Sequence, residues 1–108
     1  MREHNPDKWA IIKIEMNDNL VYKVLGGWSG GYVDGDAWRL SSGLESVETE
    51  GDYYLMKNHS GSVYKCHKST NGFNMISMAK FAEFKDAVKE KGGTLENISV
   101  DDFLKEKV

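Results

Sequence analysis

The sequence predicts an α+β fold: a twisted antiparallel β-sheet of five to six short strands, a C-terminal helix packed on one face and a short final helix. Three observations carry this expectation. Up to about Gly72 the chain is punctuated by Gly, Asn, Asp and Ser between short runs rich in Val, Ile, Tyr and Trp, which is the pattern of strands joined by turns. Beyond Gly72 no glycine occurs until Gly92-Gly93, and Ala, Met, Lys, Glu and Phe take over, which is helix composition. The length of 108 residues suits one core, so residues 1–108 are expected to form a single domain, with the sheet over about 8–68 and helices over about 75–91 and 100–107.

The first strand is expected over Lys8 to Met16. Ala10, Ile12, Ile14 and Met16 fall on one face and Trp9, Ile11, Lys13 and Glu15 on the other. Asn17-Asp18-Asn19 tolerates left-handed backbone angles and makes a hairpin turn into Leu20 to Leu25. The glycine-rich segment Gly26 to Tyr32 then interrupts the ladder, as a β-bulge or as a loop whose N–H groups approach a partner. Asp34-Gly35-Asp36 turns into Ala37 to Leu40. Ser46 to Glu50 and Asp52 to Lys57 form a hairpin about Gly51, and Ser62 to Lys68 follows with Tyr64 and Cys66 on one face.

Met78, Phe81, Phe84 and Val88 recur at three- and four-residue steps and make the apolar stripe of the main helix. Gly92-Gly93 closes that helix, and Ser99-Val100-Asp101-Asp102 opens the last one with a capping signature. Phe103 and Leu104 are expected to dock it.

Composition excludes several classes. No apolar run approaches the ~20 residues of a membrane helix, and the polar start Met1 to Lys8 is unlike a signal peptide. One cysteine forms no internal disulfide and no Cys-rich zinc site, so a reducing cytoplasm is the expected compartment. The formal net charge of −3 disfavours non-specific nucleic-acid binding. Neither a P-loop nor a dinucleotide fingerprint is present, and Asp34-Gly35-Asp36 lacks the other ligands of a calcium loop. No cofactor and no metal is expected.

The candidate binding residues are Trp28, Tyr32, Trp38 and Arg39. Aromatics beside mobile glycines, with a guanidinium nearby, are the residue types that anchor interfaces. Against this stands a plain core role, since aromatics also fill small β domains. Cys66 with His59 is the one nucleophile–base pair on offer, but Cys66 reads as a buried structural thiol and no catalytic residue is assigned. Acidic residues crowd 34–52 while Lys57, Lys65 and Lys68 follow without an acid, which pairs charges across hairpins or steers a charged partner.

The stretches Gly27-Trp28-Ser29-Gly30-Gly31-Tyr32, Trp38-Arg39-Leu40-Ser41-Ser42-Gly43 and Ser60-Gly61-Ser62-Val63-Tyr64-Lys65-Cys66-His67-Lys68 resemble small accessory proteins of tailed bacteriophages. The resemblance spans roughly residues 20 to 72 and implies a protein of the infected bacterium's cytoplasm that acts on host machinery. The functional expectation is a small cytoplasmic, non-enzymatic binding module with a protein partner or with itself. A single-stranded nucleic-acid or nucleotide binder, using Tyr64, Lys65, His67 and Lys68 beside Trp28 and Tyr32, is the alternative. A small Cys/His enzyme ranks below both.

Overall fold

The computed structural model describes residues 2–31 and 35–107. In chain order the strands are β1 (Glu3–His4), β2 (Lys8–Met16), β3 (Asn19–Gly31), β4 (Gly35–Leu40), β5 (Leu44–Glu50), β6 (Tyr53–Asn58), β7 (Val63–His67) and β8 (Thr94–Ile98). The helices are α1 (Met75–Glu90) and α2 (Val100–Lys107). The α+β class and the helix on one sheet face hold. Among the described residues the strands number eight, not five to six, and they divide into two four-stranded sheets, β1-β7-β6-β5 and β4-β3-β2-β8. Among the described residues neither sheet closes into a barrel, and the strand-to-strand pairings are antiparallel except β1 on β7.

The hairpin between β2 and β3 turns on Asn17 and Asp18, whose φ angles of 52° and 65° are the left-handed values that Asn and Asp tolerate best. β2 then serves two cores at once. Trp9 and Ile11 face the other sheet, joining Tyr22, Val24, Tyr64 and Phe103. Ile12 and Ile14, on the opposite face, meet Val88 of α1 and Leu95 of β8. A strand buried on both faces needs apolar residues at successive positions, which is why Trp9 to Ile12 run unbroken. The molecule is therefore layered sheet, sheet, helix, with α2 closing the first core through Val100 and Phe103. Trp9 also ties the layers by polar contacts. Its indole N–H donates to the carbonyl of His67 at 2.7 Å, and its own carbonyl accepts the Gly72 N–H at 2.7 Å.

Other expectations are corrected. The second strand does not end at Leu25, because β3 continues through Gly26 and Gly27 to Gly31. Of the two readings of Gly26 to Tyr32, the β-bulge is the one that fits: the β3–β4 register shifts between Trp28 and Gly31, within that segment. Gly27 is required by a close approach: a Cβ there would lie 2.5 Å from Asn74 Oδ1. Asn74 is the N-cap of α1, accepting the Ser77 N–H at 2.9 Å while its own N–H donates to Ser77 Oγ at 3.0 Å. Met78 is not part of the helix stripe. It is 52% exposed, and buried Ser77 takes the inward place one residue earlier. Leu104 likewise stays exposed while Phe103 docks α2. β8 and β1 lie outside the range expected for the sheet.

Candidate functional site

The margin where β4 and β1 lie as the end strands of the two sheets brings together three of the four candidate residues. Trp28 stands opposite Ala37 and Gly27 opposite Trp38, so the β3–β4 ladder places Trp28 next to Trp38 and Arg39. An open cleft of about 400 Å³ lies between the strands, lined by Glu3, His4 and Asn5 on one side and by Trp28 with Ala37 to Arg39 on the other. Tyr32, the fourth candidate, lies outside the described residues.

Trp28 is half-buried, and its indole N–H donates to the Asn5 carbonyl at 3.0 Å, fastening the chain after β1 to β3. The His4 ring stands edge-on to Trp28 at 6.4 Å and tilts against Tyr64 at 4.8 Å. Neighbouring residues of a strand leave on opposite faces. Trp38 therefore turns toward α1, where Phe84 meets it edge-on at 5.5 Å and Lys80 Nζ sits 5.3 Å from its ring centre. Arg39 takes the β1 side. Trp38 is 38% exposed, one of the few large apolar side chains open to solvent.

The cleft is weakly cationic. Burial, then the Arg39 and Arg2 guanidinia, hold the His4 imidazole below its ordinary value, so His4 is neutral at pH 7. Burial pushes the Tyr64 phenol up to about 12 against the pull of the same two arginines. Lys80 is paired with Glu83 at 3.1 Å. Among the residues whose side chains are described, no carboxylate lies within salt-bridge distance of Arg2 or Arg39.

The other candidates are dispersed. Cys66 is fully buried opposite Tyr54, and burial pushes its thiol well above the ordinary range. His59 lies beyond the far end of β6, five residues from Tyr54 along the chain or about 16 Å of strand. Its Nδ1 is 3.4 Å from Glu45 instead. Of the set for nucleic-acid binding, Tyr64 faces the core while Lys65 and His67 face outward, Lys65 sitting 4.8 Å over the Tyr53 ring. Among the described residues no three His, Cys, Asp or Glu side chains converge as metal ligands, and no helix is long and apolar enough to cross a membrane. Among the described residues the segregated charges meet across strands at Lys57 and Glu48, 2.7 Å apart.

His4, Arg2 and Lys80 are the residues that sequence reading missed at this margin. Nothing in the polar segment before Lys8 signals a strand, and a lysine on an exposed helix position looks like any solvated one. No family model, curated protein or solved structure matches the chain.

Proposed function

We propose that the protein is a non-enzymatic binding module that engages a protein partner at the β1–β4 margin. The carrying observation is Trp38, an indole 38% exposed at an end strand, with Lys80 over its ring and Arg39 as its neighbour. Tryptophan and arginine are the residues most enriched at energetic centres of protein interfaces. A protein partner is favoured over nucleic acid for two reasons. Lys80 already occupies one approach to the Trp38 ring, which limits base stacking, and the net charge is −3. The likeness to phage accessory proteins suits a module of this kind in the cytoplasm of an infected bacterium, acting on host machinery.

The test is recovery from bacterial lysate on immobilised protein, with and without nuclease, followed by mass spectrometry. One protein should be retained despite nuclease and lost with Trp38→Ala, while the variant melts within a few degrees of the parent. Recovery that disappears with nuclease would assign the margin, or another surface, to nucleic acid. Recovery indifferent to Trp38→Ala would place the interface elsewhere.

A further inference from the structure

We infer that the occupant of this margin is an extended acidic polypeptide segment that adds to the free edge of β4 as a fifth strand of its sheet. The inference rests on the binding reading above and names the partner's chemistry. β4 ends the order β4-β3-β2-β8, so one side of it pairs with no described strand. Its hydrogen-bonding phase is set at Ser41, whose N–H donates to the Val24 carbonyl at 2.9 Å. In an antiparallel pair, donors and acceptors alternate between the two sides of the strand. Stepping back by two puts Arg39 and Ala37 on the β3 side. The N–H and C=O of Trp38 and Leu40 then point outward, ready for an incoming backbone.

The charges select the segment. Arg39 and Arg2 stand on the β1 side, where Glu3 is the acid lining the cleft among the described residues. Lys80 stands over Trp38 on the α1 side, with Glu83 as its partner. Asp36 precedes Arg39 by three residues in the same strand. A strand alternates its side chains, so one face of the added segment meets Arg39 and His4 and the other meets the Trp38 ring. Carboxylates suit the first face and apolar groups the second. Glu and Val in alternation meet both demands.

The probe is a fluorescein-labelled octapeptide of alternating Glu and Val, followed by anisotropy at low salt with the full chain. Two controls are the same peptide N-methylated at alternate residues and a Lys/Val counterpart. We expect saturable binding, at least tenfold weaker for the N-methylated peptide, for the Lys/Val peptide and for Trp38→Ala, and several-fold weaker for Arg39→Gln. Trp38 and Arg39 are exposed, so unchanged melting should confirm that both variants fold. No binding at 1 mM peptide, equal binding of the N-methylated peptide or equal binding of the Lys/Val peptide would each overturn strand addition. So would sedimentation showing that the edge is already paired with a second copy. If the peptide fails while lysate recovery still depends on Trp38, the binding reading survives and the strand addition does not.

Discussion

Replacing Gly27 by alanine tests how the glycine-rich segment serves the fold. The new Cβ would stand 2.5 Å from Asn74 Oδ1, 2.8 Å from its Cγ and 2.9 Å from its Nδ2. Ordinary contact needs the amide to retreat by about 1 Å. That retreat breaks the bond from the Ser77 N–H to Oδ1, at 2.9 Å, and the bond from Asn74 Nδ2 to Ser29 Oγ, at 3.0 Å. Loss of an N-cap costs about 1 kcal/mol and overpacking adds about 1–3 kcal/mol, for a total of about 2–4 kcal/mol. At this chain length that corresponds to a melting shift of about 10–20 °C. Asn74→Ala alone should cost about 1–2 kcal/mol, because it removes the same cap. The decisive measurement is the double variant in urea unfolding. With the amide gone, the methyl has room, so Gly27→Ala should cost under about 1 kcal/mol in that background, a coupling well outside additivity. Additive costs would refute the argument and return Gly27 to a purely local role in β3.

Three further outcomes follow from the packing and the charges. Phe103→Ala should cost about 3–5 kcal/mol, whereas Phe81→Ala, on a half-buried ring, should cost about 2 kcal/mol, read from chemical denaturation. Cys66→Ala should fold with a loss of at most about 2 kcal/mol, and the native thiol should react with a disulfide reagent only on the timescale of opening, because burial pushes its pKa up. Lys13 and Tyr22 both donate to Glu106, at 2.5 and 2.8 Å, and hold its carboxyl below the usual range. A depressed carboxylate contributes stability above its unfolded pKa of ~4.3 and loses that contribution as pH falls through the folded value. The stability gap between the parent and Glu106→Gln should therefore be widest near neutrality and close in acid.

The sequence disclosed those parts of the fold that depend on local chemistry. Asn17-Asp18, Gly51 and Gly92 sit at turns or a helix end because the backbone there needs positive φ, and each is visible as a residue type. The bounds of α1 and α2 were legible from caps and spacing. Pairing across long separations was not. Thr94 to Ile98 has too few apolar residues to read as a strand, and it becomes one because Leu95 fills the space between Ile14 and α1. Glu3–His4 is two residues long and is held by β7 and by Trp28, neither of which is near in sequence. The same separation hid half of the site. Trp28, Trp38 and Arg39 could be chosen for their chemistry, but their company with His4 and Arg2 depends on two different sheets ending side by side. Met78 was assigned inward because its spacing to Phe81 fits a stripe. The helix phase instead centres on Ser77, where a small hydroxyl is needed to complete the cap.

Trp9 has a consequence for how the molecule comes apart. Its ring lies in the core between the sheets, its indole N–H is bound to His67 in one sheet, and its backbone belongs to the other. Peeling either sheet away breaks that bond and exposes the largest fully buried side chain in the protein. The sheets therefore cannot melt in separate steps, although their hydrogen-bond ladders are independent. Slow amide exchange should end together at Val24 in one sheet and Cys66 in the other, with the Trp9 indole proton exchanging at the same limit, as one cooperative unit.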